Sequence, residues 1–468
     1  MDETTSFQVT VLPRGSEAKY NFGAVITGVD LNDISDDDPE RLKAAVWRHK
    51  VVIIKDQSNL DPKKQWELIT RLDPKAKDGH SHGSIDKFRA KGGREVVGIP
   101  GAENVRLIGK GFQGTDHYGI KNHTVERGLS NDFHAIPPST SDLENGITRF
   151  QRWHIDAPLY DRDPTWFTSL RCIKLPRGDD LTIERADGSG LNMKCPPGRT
   201  AFFSTSQLYS LLTPEEKKLV DHSWVEYAPY PYKWIQRCKG NSNGLGLAAG
   251  GERLSIEELG EFDPAAVKKV NPLTGEKAFQ VHGICARHLF LRSSSSEPPP
   301  PRVIEDVEGI RRFVLNIQRR ILRPEYILLA PVEEGDMLIW HNYGLFHSAI
   351  DYPAKLGPRT MHQANISGSI GPRGPDIVRT ESITISRQSI SICKYVTVPT
   401  PEPALGVGTA FNTEESAEDF VAGSTPSLLG LIECMGMRLY EDNRSIFEEF
   451  LGRLALYIHK RSGADWAP

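Results

Sequence analysis

The apolar residues of this chain switch between two periods, and the switches mark out its elements. Leu42, Ala45, Val46 and His49 recur at helical spacing behind Asp38-Pro39, an N-cap followed by proline at the first helical position. Val51–Ile54 is an unbroken apolar run, the pattern of a strand buried on both faces. A second helix is expected over 62–72. Residues 166–172 and 198–203 read as strands on either side of a turn signal at 186–190. Thr213-Pro214-Glu215-Glu216 is a capping box that opens a helix running to about Val220. Ile310, Phe313, Val314, Ile317 and Ile321 form one stripe of an amphipathic helix, read as core packing. A turn at 333–336 then leads into a strand at 337–340.

Two stretches break this regularity. Residues 74–146 are rich in Gly, Lys, Asp and His and poor in apolar periodicity, which predicts a lid or disorder. Their histidines, among them His80, His82, His117, His123 and His134, show no metal-ligand spacing and read as solvated or loop-packed. A Ser/Pro-rich loop covers 293–301. Beyond about residue 375 the chain reads as a linker-like segment, 376–426, and a helical tail, 427–468, of unknown role. Ser445-Ile446-Phe447-Glu448 caps a last helix with an apolar face.

Composition narrows the class. The 468 residues carry a net charge of −4 and are 38% hydrophobic, enough for a sizeable core, with nothing that suggests nucleic acid or an anionic membrane. No apolar run approaches the length of a membrane span. The six cysteines have no paired spacing and read as reduced thiols. The polar start, Met1-Asp2-Glu3-Thr4, is no signal peptide, and the cytoplasm is the expected compartment. The expected partner is a small-molecule substrate; a homo-oligomer is allowed.

The chemistry concentrates in Arg152-Trp153-His154-Ile155-Asp156. On a strand, residues i and i+2 face the same way, so His154 and Asp156 present an imidazole and a carboxylate together. These are two members of a 2-His-1-carboxylate triad, the mark of a non-haem Fe(II) oxygenase. Chance places roughly two His-x-acid tripeptides in such a chain, so the motif is weak alone. Its company raises it. A third ligand is offered by His347, or by His341 six residues earlier. If 359–365 is a strand, Arg359, Met361, Gln363 and Asn365 share a face, and a guanidinium with two carboxamides is costly there unless it binds something. His362 alternates with Arg359 and should face away.

With these residues the chain resembles the taurine/2,4-D dioxygenase (TauD/TfdA) family of Fe(II)- and 2-oxoglutarate-dependent oxygenases, and within it the fungal xanthine dioxygenase group. The resemblance runs from about residue 8 to 370. It implies a mainly β fold with flanking helices (α+β), built on a distorted double-stranded β-helix, or jelly-roll, core. It implies a dioxygenase domain over 1–375, with the lid or insertion around 74–146. Fe(II) would be held by His154, Asp156 and His347, because Arg359 stands at the family's offset from His347 and Asn342-Tyr343-Gly344 reads as a turn that separates His341. 2-Oxoglutarate and O2 would take the open positions. Arg359, a planar charged fork, suits the distal carboxylate of 2-oxoglutarate. The resemblance adds Thr200 as a hydroxyl donor to 2-oxoglutarate, and Gln363 and Asn365 on the substrate side.

The expected reaction is hydroxylation of xanthine to uric acid, with release of succinate and CO2. The group also uses a lysine and acids from the lid; Lys110, Lys121, Glu126 and Glu144 are in range, and no motif selects among them. Three alternatives stand beside this reading. They are a related dioxygenase acting on another small anion such as a sulfonate, a catalytically silent metal-binding β-helix protein, and a hydrolytic metalloenzyme.

Overall fold

The computed structural model describes residues 7–76, 97–126, 130–156, 164–185, 188–227, 238–246, 267–268, 276–293 and 302–370. The chain divides into two units, 1–379 and 380–468. Residues 294–301 of the Ser/Pro loop, the linker, the C-terminal helix, His80 and His82 lie outside the described residues.

In chain order the elements that build the site are β1 (Gln8–Val11), β2 (Ala24–Thr27), α1 (Asp38–His49), β3 (Val51–Ile54), α2 (Pro62–Leu72), β4 (Val97–Ile99), β5 (Ala102–Phe112) and β6 (Thr124–Val125). There follow β7 (Phe167–Lys174), β8 (Thr200–Ser204), α3 (Pro214–His222), α4 (Val307–Gln318), β9 (Leu328–Leu329), β10 (Met337–His341), β11 (Leu345–Ala349) and β12 (Arg359–Asn365). The cap of α1 is Asp37, one residue before the expected Asp38. The capping box at Thr213 forms as its residues predict, with Thr213 and Glu216 exchanging bonds.

A nine-stranded sheet runs β1-β2-β3-β10-β7-β12-β5-β4, with β6 on β5, and a three-stranded sheet runs β9-β8-β11. All four residues of β3 are buried, as its apolar run requires: it lies between β2 and β10 with both faces covered. One face of the large sheet carries Met337, Ile339 and Ala364 and is closed by Leu42 and Val46 of α1 and Leu68, Ile69 and Leu72 of α2. The opposite face carries Leu338, Trp340, Leu170 and Met361 and packs on Phe202 and Leu345 of the small sheet. Phe202 and Trp340 meet edge to face at 5.5 Å between centroids. Between the two sheets lies the interior that receives the site.

Within the stretch read as a lid, the eleven residues of β5 are a full member of the large sheet, paired with β12 from Gln363↔Arg106 to Arg359↔Lys110. Two glycines hid it. A Cβ on Gly109 would fall 1.8 Å from the Arg359 carbonyl oxygen, so glycine is required where β5 presses on β12. The four described cysteines, Cys172, Cys195, Cys238 and Cys285, are free and buried. No helix among the described residues is long and apolar enough to cross a membrane.

Candidate active site

The His154 segment is not a regular strand. It runs antiparallel to β11 through isolated bridges only, Phe150↔Ile350 and His154↔His347, and in the second each backbone N–H donates to the other carbonyl at 3.0 Å. Trp153 anchors the segment, packing at 4.8 Å on both Phe150 and Phe203. Asn342 holds the other end: its Oδ1 accepts from the Asp156 N–H at 2.8 Å, and its amide donates to the carbonyls of Asp156 and Thr165 at 3.0 Å. The alternation expected of a strand therefore survives over three residues, and His154 and Asp156 deliver their side chains to one point.

That point is shared by His347. His154 Nε2 lies 3.9 Å and His347 Nε2 3.7 Å from Asp156 Oδ1, and ligand atoms of all three fall within 4.8 Å of one another. His154 Nδ1 sits 2.8 Å from the Arg152 carbonyl; a carbonyl only accepts, so Nδ1 carries the proton and Nε2 keeps its lone pair. His347 is wedged between the Phe202 ring and Trp340, 5.9 and 4.9 Å away. Burial lowers the pKa of His154, and burial with the nearby His154 charge takes His347 to about 3. Both imidazoles are neutral near pH 7, the form that binds a cation. Thr168 of β7 donates to Asp156 Oδ2 at 2.7 Å, leaving Oδ1 toward the imidazoles. Two neutral imidazoles and one carboxylate on a single face fit a divalent iron with open positions opposite.

Arg359 opens β12. Its Nε donates to the Gly198 carbonyl at 2.9 Å and its Nη2 to Thr200 Oγ1 at 3.0 Å. Gly198 has φ +78°, and a Cβ there would meet Pro176 at 2.6 Å, so only glycine turns the chain into β8 at this spot. Arg359 is buried, and no carboxylate pairs with it among the described residues. Burial pulls its pKa below the ordinary guanidinium range. An unneutralised buried cation is costly, and the cost is removed by an anion that enters the site. The distal carboxylate of a 2-oxo diacid fits that requirement.

Gln363 and Asn365 lie two and three same-face positions along β12 from Arg359, beyond Met361 on the same buried face, with Asn365 registered against Thr168. Gln363 Oε1 accepts from Arg106 Nη2 at 3.0 Å. His341 takes no part: it pairs with Phe167 and sits on the helix-covered face of β10, where burial takes it to about 3. The Asn342–Gly344 turn carries the chain from the large sheet to the small one, so the parity that would have joined His341 and His347 is lost. His362 faces α2's side and contacts His117, Nε2 to Nε2 at 2.8 Å. Lys110 pairs with Asp351, Lys121 with Asp116 and Glu144 with Lys355, while Glu126 is exposed.

Nothing in the local sequence singles out Thr168, Asn342 or Arg106. Thr168 stands on a predicted strand, but its face follows only from pairing with β12. Asn342 looks like an ordinary turn residue, and Arg106 lies in the stretch without periodicity.

Residues 11–365 match the family described as taurine catabolism dioxygenase TauD, TfdA family. An alpha-ketoglutarate-dependent dioxygenase of Alternaria brassicicola is 44% identical over 378 residues, 78% of this chain and 94% of that protein. One of Phomopsis amygdali is 40% identical over 379 residues, 77% of this chain and 93% of that protein. An alpha-ketoglutarate-dependent xanthine dioxygenase of Neurospora crassa is 34% identical over 419 residues, 86% of this chain and 97% of that protein. Alpha-ketoglutarate is 2-oxoglutarate, and the chain belongs to the TauD/TfdA family as an Fe(II)- and 2-oxoglutarate-dependent dioxygenase that uses O2.

Proposed function

We propose that this dioxygenase hydroxylates C8 of xanthine, giving uric acid, succinate and CO2. The observation that carries the reading is the pair of buried carboxamides, Gln363 and Asn365, on the face that also bears Arg359. Carboxamides both donate and accept, and they match the lactam edges of an oxidised purine. The relative from Neurospora crassa, named for xanthine, supports it. In this proposal His154, Asp156 and His347 hold Fe(II), which supplies the oxidative chemistry when 2-oxoglutarate and O2 are bound. Arg359 and Thr200 hold the distal carboxylate of 2-oxoglutarate: the Thr200 hydroxyl accepts from Arg359 and keeps its own proton to donate. Thr168 and Asn342 keep Asp156 aimed. The two facing sheets are the walls of a distorted double-stranded β-helix.

A second reading is a different small anion, such as a sulfonate. The guanidinium of Arg106 behind Gln363 favours it, as does the engagement of Lys110, Lys121 and Glu144 elsewhere. The relatives at 44% and 40% identity are named without a substrate. Succinate release by purified protein with Fe(II), 2-oxoglutarate, ascorbate and air separates the readings. Xanthine-stimulated succinate with matching urate is expected. Succinate that xanthine does not stimulate would discard the purine.

A further inference from the structure

We infer that Arg106 sets what Gln363 offers the substrate, making this wall of the pocket a hydrogen-bond donor that selects acceptor groups. The inference rests on the substrate-side position proposed above for Gln363. Arg106 and Gln363 are register partners on β5 and β12, both buried, joined Nη2 to Oε1 at 3.0 Å. A guanidinium has donors and no acceptor, so only the carbonyl end of the amide can face it. A flipped Gln363 would set N–H against N–H. The amide is thereby locked, and Nε2 is turned away from β5.

Gln363 Nε2 makes no hydrogen bond to any described residue, and Gln363 keeps 9% of its surface open. On the adjoining rung of β12, Asn365 is registered against Thr168, which holds Asp156. The free N–H2 therefore lies within one rung of the reacting end of the site. A glutamine with a free amide accepts either hydrogen-bonding sense. With Arg106 behind it, this one accepts a carbonyl, a deprotonated lactam or a carboxylate and leaves an amine facing a donor, which a buried site rejects strongly. Arg106 is thus a positioning residue for specificity, acting through Gln363.

Xanthine and guanine differ by one exchange, a C2 carbonyl for an amine, and isoguanine carries the same exchange at C6. Their dissociation constants, measured without turnover on full-length protein loaded with Mn(II) and 2-oxoglutarate, read the sense of the wall. Wild type should prefer xanthine over at least one of the two amines by about tenfold or more. In Arg106→Leu the preference should shrink to roughly threefold or less, because the amide is free to turn, while Arg106→Lys retains it and the 2-oxoglutarate affinity is unchanged in both. No preference in wild type, or the same preference in Arg106→Leu, overturns the inference without touching the purine reading. If none of the three purines binds wild type, the purine reading falls instead. A second measurement then decides: a double-mutant cycle of Arg106→Leu and Gln363→Leu in urea unfolding needs no substrate. Non-additive midpoints support the locked amide, and strictly additive ones overturn it.

Discussion

The Thr168 hydroxyl donates to Asp156 Oδ2 at 2.7 Å across the interior of the sheet pair. It is a long-range contact in function if not in sequence, because β7 is rigidly paired on both sides, to β10 and β12. One carboxylate oxygen is thereby held away, and the other is left to the imidazoles. Thr168→Val keeps the shape and removes the donor. Metal affinity should fall about 10–100-fold with little change in fold. A Co(II) titration followed by its absorption bands checks this, and wild-type affinity in the variant would show that the hydroxyl does not orient the ligand.

Asp156→Ala removes the only carboxylate of the triad. Iron-dependent succinate formation should be lost, while the far-UV circular dichroism stays that of wild type, because the segment is anchored by Trp153 and by backbone bonds to His347 and Asn342. Retained turnover would refute the triad.

Arg359→Met should act in opposite directions on cosubstrate and on stability. Loss of the cation should weaken 2-oxoglutarate binding by about 100-fold, corresponding to about 3 kcal/mol. Without ligand the variant should unfold at higher urea, since a buried cation with no anion partner is replaced by an apolar side chain. Calorimetric titration and urea melts measure the two effects. Equal 2-oxoglutarate affinity in both proteins would remove Arg359 from the cosubstrate pocket.

Gln363→Ala should raise the KM of the organic substrate about tenfold and leave that of 2-oxoglutarate unchanged, because in the proposed arrangement it removes one hydrogen-bonding group from the substrate end only. An unchanged KM for every active substrate would take Gln363 out of the pocket.

Acid should destabilise the metal-free protein early. Burial takes His341 to about 3, and burial with the charges of His117 and Arg171 takes His362 to about 3. Both stand near 6.5 in an unfolded chain. Above that value neither state binds the proton. Between about 6.5 and 3 the unfolded chain takes protons that the folded one refuses, so stability falls as pH falls, by about 1.4 kcal/mol per unit for each imidazole. In His362→Gln the slope of unfolding free energy between pH 6 and 5 should drop by about one proton. An unchanged slope would mean that His362 titrates normally.

Much of this protein is legible from local rules. The buried run of β3, the capping box at Thr213 and the pairing of His154 with Asp156 each depend on a few neighbouring residues, and alternation or helical period is enough to place them. Alternation also puts Arg359, Gln363 and Asn365 on one face before any partner is known. The choice between His341 and His347 is of another kind. Parity allows both, and a turn that moves the chain from one sheet to the other separates them, so only the packing of the two sheets decides. The same holds for Thr168, whose face is set by register against β12, and for Asn342, whose amide reaches a segment 186 residues away. Strand β5 was hidden because its glycines serve contact with β12 and blur its own pattern. Arg106 gains its meaning only from the residue opposite it. Local sequence determines which side chains can share a face; the tertiary fold decides which faces meet, because strand register and sheet packing bring together residues that no local period connects.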